Sequence, residues 1–167
     1  GDVPPRAPGE SAADHDMAAI RARAPKPEQL RELDALVYDI QDVGARFYTY
    51  PAALGAALEA AGREHKKFFV LDRVNPITDA IVEGPVMTRP PTYTGYHSVP
   101  VRYGMTIGEF ARMLNGERGF GADLTVIACE NWTRDMWLDQ TGLPWTNPSP
   151  AIRSLTAAAL YPGTCLV

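Results

Sequence analysis

The sequence lacks most of the devices that announce a chemistry. No Gly-x-Gly-x-x-Gly opens a helix after a strand-like segment, and the one candidate turn, Asp39 to Gly44, supplies a single glycine, which disfavours a dinucleotide site. A Gly-x-x-x-x-Gly-Lys loop, a Gly-x-Ser-x-Gly elbow, a His-Glu-x-x-His pair and a defensible Ser-His-Asp order are missing as well. Cysteine is scarce: Cys129 and Cys165 have no Cys-x-x-Cys spacing, and His15, His65 and His97 are not placed to complete a zinc site with them. They read as isolated small core residues, with a disulfide between them geometrically open.

Long apolar runs are missing too. Nothing approaches the roughly 18–20 residues needed to span a bilayer. Residues 1–20 are proline-rich and acidic, with no apolar stretch of the signal-peptide kind. A net charge of −4 provides no clustered basic face, which argues against a nucleic-acid partner. What remains is 167 residues, 46% hydrophobic and 22% charged, enough for one globular domain with a real core.

What is present is organised around residues 35–50. Ala35, Leu36, Val37 and Ile40 read as a buried strand that runs out into Asp39, Gln41, Asp42, Arg46, Tyr48 and Tyr50. Pro51 suits a first helical turn, Leu54, Ala57, Leu58 and Ala61 form an apolar stripe, and Gly62 suggests a stop. A second strand, Phe68 to Leu71, follows, and the spacing is that of a βαβ unit with parallel strands. It too ends in polar chemistry: Asp72, Arg73 and Asn75. Ligands of open α/β sheets bind beyond the carboxyl ends of the strands, so both clusters are expected on one edge, walling a polar-ligand pocket. Upstream, the prolines of residues 1–27 predict an irregular segment with a helical turn around Ala12–Ala22, and Pro27 to Leu33 a short helix or turn. Downstream come a long loop (74–104) of the functional sort and a helix capped by Thr106 and Glu109 and stopping at Asn115-Gly116. A third strand, Leu124 to Ala128, a Pro-rich loop from Pro144 to Pro150, and a short apolar helix near Ile152–Leu160 complete the chain. The domain expectation is an irregular 1–27 followed by an α/β domain over 28–167.

The chemistry must then come from carboxylates, amides, Arg and Tyr, the kit of a carbohydrate or polar small-molecule site without metal or organic cofactor. Asp39, Asp42 and Glu83 are the catalytic candidates. Gln41, Arg46, Tyr48, Tyr50, Asp72, Arg73, Asn75 and Arg102 are the substrate-binding ones. Several have a plain alternative. Asp42 suits a cap of the turn before Gly44 as well as a site. Arg46 suits a carboxylate clamp, or an ion pair with Asp39 or Asp72. Tyr48 and Tyr50 suit stacking on a sugar, with packing under the next helix favoured for one of them. Glu83 suits a solvated loop. Trp132, Trp137 and Trp145 read as core and loop anchors.

Six ordered strings resemble a known family closely. They are Val37 to Tyr50, Leu71-Asp72-Arg73-Val74-Asn75-Pro76, Val82-Glu83-Gly84-Pro85, Pro100 to Thr106, Trp132-Thr133-Arg134-Asp135-Met136-Trp137, and Tyr161-Pro162-Gly163-Thr164-Cys165. The chain is similar over about residues 28–167 to the NamZ/YbbC-like exo-β-N-acetylmuramidases, formerly a domain of unknown function. The resemblance implies a glycosidase that removes terminal N-acetylmuramic acid from peptidoglycan fragments. It also implies a Rossmann-like open, mainly parallel sheet with flanking helices, a second smaller domain, a muropeptide-type ligand and an extracytoplasmic setting. Arg46 or Arg102 then has a task, since N-acetylmuramic acid carries a lactyl carboxylate that an Arg fork grips. Two family segments are not found here. A Glu-His-Gly motif, the implied source of a catalytic carboxylate, belongs upstream of a Gly-Asp like Gly1-Asp2, and a Ser-Leu-Tyr-Gly segment is replaced near Ile20-Arg21-Ala22. A Glu-Gly-Thr-Asn segment belongs beyond Val167. The expectation is a chain truncated at both ends, not necessarily active by itself, with binding of muramyl or other acidic sugars without cleavage as the alternative. Poor solubility or dimerisation is expected to follow.

Overall fold

The structure, a computed structural model, describes residues 5, 6 and 8–166. Of the N-terminal segment, residues 1–4 and 7 lie outside the described residues. The rest is more regular than the prolines predict. Ser11 caps a ten-residue helix, α1 (Ala12–Arg21), by accepting from the Asp14 N–H at 3.1 Å. The helix persists because it is docked: Ile20 is fully buried. A one-turn helix, α2 (Pro27–Leu30), then leads into β1 (Ala35–Tyr38), two residues shorter than the apolar pattern suggests.

Next come α3 (Tyr50–Arg63), β2 (Lys67–Leu71), α4 (Ile107–Glu117), β3 (Asp123–Ile127) and α5 (Leu155–Thr164). Arg21 of α1 is ion-paired to Glu59 of α3 at 2.8 Å, which holds the N-terminal helix on the domain. The strands are parallel in the order β1-β2-β3, with Ala35 beside Lys67 and Lys67 beside Asp123. This is an α/β, Rossmann-like sheet, and β2 is its centre. The helices end one residue beyond the expected stops, α3 at Arg63 after Gly62 and α4 at Glu117 after Asn115-Gly116. Likewise α5 runs through Pro162 rather than ending near Leu160.

One sheet face is covered. Leu36, Tyr38, Phe68 and Val70 meet Leu54 and Leu58 of α3 and Phe110 and Leu114 of α4 in the main core. Full burial of each such side chain is worth about 1.5–3 kcal/mol. The other face is open: Val37 and Ile127 are 63% and 52% exposed. A second cluster of Val43, Ala45, Ile77, Ile152 and Ala158 lies away from the main core, with Trp137 and Trp145 packed against it. Cys129 and Cys165 are free and half-buried, so neither is a core residue nor in a disulfide. Among the described residues no helix is long and apolar enough to cross a membrane.

Candidate functional site

Because β1 and β2 are parallel neighbours, the residues that follow them emerge together. Asp39 and Gln41 come from the end of β1, Arg73 from the end of β2, and Tyr50 from the first turn of α3. With Ile40, Thr146, Asn147 and Pro148 they line an open cleft of about 220 Å³. Arg73 donates to Asp39 Oδ1 from Nε at 2.8 Å, and its Nη2 lies 2.6 Å from the same oxygen. The Gln41 amide nitrogen donates to the carbonyls of Asp42, at 3.0 Å, and Val74, at 3.1 Å. That commitment orients the amide and leaves its oxygen as the free acceptor. The Tyr50 hydroxyl donates to the Pro148 carbonyl at 2.5 Å, closing the far wall.

The remaining sequence candidates stand elsewhere. Asp42 is only 5% exposed, and its Oδ2 accepts from the Gly44 N–H at 2.9 Å and from the Tyr103 hydroxyl. It caps its turn, and burial pushes its carboxyl up to about 6. Gly44 has φ +77°, and a Cβ there would sit 2.1 Å from Asn75 Oδ1, so the turn demands glycine twice over. Asn75 spans the loop, accepting from the Ile77 N–H at 3.1 Å and donating to the Met105 carbonyl at 3.3 Å.

Asp72 is turned towards α4 instead of the cleft. Its Oδ1 accepts from the Gly108 N–H at 2.7 Å and its Oδ2 from the Thr106 hydroxyl at 2.8 Å. A carboxylate at a helix N-terminus satisfies orphan donors and the positive end of the helix dipole. Gly108 makes the approach possible, since a Cβ there would lie 2.6 Å from the Asp72 carboxyl carbon.

Arg46 pairs with neither Asp39 nor Asp72. Its Nη1 donates to the carbonyls of Pro85 at 2.8 Å and Val99 at 2.5 Å, and it lines a different cavity. Arg102 is ion-paired to Glu83 at 2.8 Å and donates to the Ile77 carbonyl. The two line a third cavity beside Pro162 and Gly163 of α5. Tyr48 is the tyrosine that packs, edge-on to Tyr50 and to Tyr161 with ring centroids 4.8 and 5.8 Å away.

Four of the eleven candidates therefore share one cleft. Sequence reasoning missed its far wall, Thr146 to Pro148, since nothing in the spacing links the Pro-rich loop to strand ends about a hundred residues away. It also missed Asp79, 5% exposed, with both carboxyl oxygens buried and, among the described residues, lacking a hydrogen-bond partner. The only available hint was its place directly after Asn75-Pro76-Ile77-Thr78. Among the described residues no cluster of His, Cys, Asp and Glu is arranged to hold a metal.

An open parallel sheet with a polar cleft beyond two adjacent strand ends is the architecture of the Rossmann-like α/β domains, a class whose ligands ordinarily bind beyond the carboxyl ends of the strands. The family model for the N-terminal part of the exo-β-N-acetylmuramidase NamZ matches residues 19–156, and the chain belongs to that family. It is 41% identical over 148 residues to the peptidoglycan β-N-acetylmuramidase NamZ of Bacillus subtilis strain 168, a match covering 88% of this chain and 36% of that protein. Two solved structures of DUF1343 family proteins from Bacteroides fragilis NCTC 9343 superpose with TM-scores of 0.83 and 0.76 at 42% and 36% identity. They cover 86% and 85% of this chain, and 38% and 40% of theirs. The chain thus spans well under half the length of the relatives it matches.

Proposed function

We propose that the chain forms the substrate-positioning wall of an exo-acting β-N-acetylmuramidase that releases terminal N-acetylmuramic acid from peptidoglycan fragments outside the cytoplasm. The observation that carries this reading is the strand-end cleft of Asp39, Gln41, Tyr50 and Arg73, in a family whose Bacillus subtilis relative is a peptidoglycan β-N-acetylmuramidase. The cleft offers a sugar fixed acceptors, the Gln41 amide oxygen and Asp39 Oδ2, suited to hydroxyl and acetamido N–H donors. Glycoside hydrolysis generally uses two carboxylates, one as acid and one as nucleophile or base. Among the described residues Asp39 is the one carboxylate lining this cleft, and it is engaged by Arg73. Its role is accordingly to hold and orient the sugar, and a partner carboxylate has to come from elsewhere in the working enzyme.

The experiment is incubation of the folded 167-residue chain, and of any longer polypeptide that carries it, with a chromogenic β-N-acetylmuramide. Release by the longer polypeptide, lost on Asp39→Asn, is the expected result. No release from either folded protein overturns the assignment. The reading that the chain binds without cleaving draws on the same ion-paired Asp39. Calorimetric binding of N-acetylmuramic acid with no turnover by the longer polypeptide would favour it.

A further inference from the structure

A second cavity, among the described residues, is larger than the strand-end cleft. It has a volume of about 770 Å³ and lies between α1 and the loop of residues 85–95. Its size is that of a site for a sugar or short peptide. Phe47, Thr88, Tyr93 and Met87 wall it, and two arginines, Arg46 and Arg89, enter it.

Arg46 is the unusual group. Its residue is only 9% exposed, yet it forms no ion pair among the described residues. Buried cations are normally matched by a carboxylate, because an unpaired charge away from water is costly. The arginines of the other two cavities show the contrast: Arg73 is paired with Asp39 and Arg102 with Glu83. Among the described residues Arg46 has only two neutral carbonyls on Nη1, its buried Nε has no partner, and no hydrogen bond engages Nη2. The guanidinium is nonetheless held rigidly, by those carbonyls and by the Phe47 ring 5.1 Å from its carbon. A fixed guanidinium with unused donors is arranged for a carboxylate, which accepts two parallel N–H bonds. Arg89 on the loop is exposed and without an ion pair, and Arg23 lies 4.7 Å above the ring of Tyr93. Asp16, the cavity's own carboxylate, is paired with none of them.

We propose that this cavity is a second binding site, separate from the strand-end cleft, which takes a small carboxylate-bearing ligand through Arg46 and Arg89. The carboxylate completes the charge balance that the fold leaves open at Arg46, and the Thr88 hydroxyl and Tyr93 ring meet the remainder of the ligand. The site stands independently of the muramidase reading, since a carboxylate seats here with the strand-end cleft empty. If that reading holds, two carboxylates qualify: the lactyl group of free N-acetylmuramic acid, or one on a peptide attached to it.

The test is amide chemical-shift mapping on the folded chain with three probes. N-acetylmuramic acid carries the lactyl carboxylate, N-acetylglucosamine carries none, and N-acetylmuramoyl-L-alanyl-D-isoglutamine carries its carboxylate on the peptide. Shifts across residues 86–95 with either acidic probe and not with N-acetylglucosamine are expected, and whichever acidic probe binds tighter identifies the source. Arg89→Ala, at an exposed position, should weaken that binding about ten-fold without changing the fold. Arg46→Lys, which keeps the charge and loses the fork, should weaken it further. Shifts confined to residues 39–41 and 146–148, equal binding of N-acetylglucosamine, no binding at all, or an Arg89→Ala chain that binds as tightly as the parent would each overturn the proposal. Failure of the chromogenic assay alone would leave this mapping unaffected.

Discussion

Arg73 directs both Nε, at 2.8 Å, and Nη2, at 2.6 Å, to one oxygen of Asp39, Oδ1. The pair bridges the ends of β1 and β2 at the mouth of the cleft and leaves Asp39 Oδ2 for a ligand. The side chains are 39% and 47% exposed, so the pair contributes little to stability, about 0–1 kcal/mol. Loss of either partner should therefore separate binding from folding. Asp39→Asn and Arg73→Ala are expected to weaken N-acetylmuramic acid binding in the cleft by ten-fold or more, roughly the value of a charge-assisted hydrogen bond. The melting temperature should move by no more than about 3 °C. Calorimetry alongside thermal melts checks this, and a large drop in melting temperature would make the pair structural instead.

Asp72 should behave in the opposite way. It ties the end of β2 to the first turn of α4 through the Gly108 N–H and the Thr106 hydroxyl. Asp72→Ala strips a partly buried acceptor from three donors, the Arg73 N–H at 2.9 Å included, a loss on the order of 2–4 kcal/mol. Gly108→Ala should destabilise comparably, since its Cβ would meet Val126 at 2.5 Å and the Asp72 carboxyl at 2.6 Å. Urea denaturation midpoints measure both. An Asp72→Ala chain with unchanged stability and lost ligand binding would return Asp72 to the substrate-binding set.

Asp79 sets a pH dependence. Burial pushes its carboxyl up to about 6 from the usual 3.8, against the opposing pull of the Arg134 guanidinium. The folded protein therefore holds the Asp79 proton more tightly than the unfolded chain. The stabilising linkage is fully present below about pH 4 and is lost as pH rises through about 6. Between those limits the loss is on the order of 2–3 kcal/mol. Asp79→Asn removes the charge and keeps the shape, so it should raise the melting temperature at pH 8 and have little effect at pH 4. Melts across that range check the sign. Greater stabilisation at pH 4 than at pH 8 would contradict it.

How far the sequence carries this account depends on distance along the chain. The βαβ unit, its parallel strands and the shared edge of the two polar clusters were readable because each is a local pattern with a fixed spacing. Asp39 and Arg73 follow from that geometry, being the first and second residues after their strands. Asp72 and Asp42 have the same composition and nearly the same position, yet they turn away from the cleft. What turns them is Gly108, Thr106 and Tyr103, about thirty to sixty residues later, and no periodicity encodes that contact. The helix over Ala12–Arg21 was legible only as a turn for a related reason: proline-rich flanks dominate the local signal, while the Arg21–Glu59 pair and buried Ile20 supply stability from elsewhere.

The open face of the sheet yields the last prediction. All-parallel sheets are ordinarily covered on both faces, because their strands carry apolar side chains on both. Here one face meets α3 and α4, while Val37, Leu71 and Ile127 on the other are 63%, 37% and 52% exposed. Lys67, Asp123 and Thr125 interrupt this face, so it is apolar in patches rather than throughout. Such a surface favours contact with another apolar surface over water. The 167-residue chain should therefore self-associate as its concentration rises, visible in sedimentation velocity as a shift towards dimer. Val37→Lys with Ile127→Lys replaces apolar area by charge at positions that are more than half exposed. The double variant should sediment as a monomer with its melting temperature within a few degrees of the parent's. A parent chain that stays monomeric at high concentration would show that the patches are too small to drive association. A double variant that loses several kcal/mol of stability would show instead that Val37 and Ile127 pack in solution.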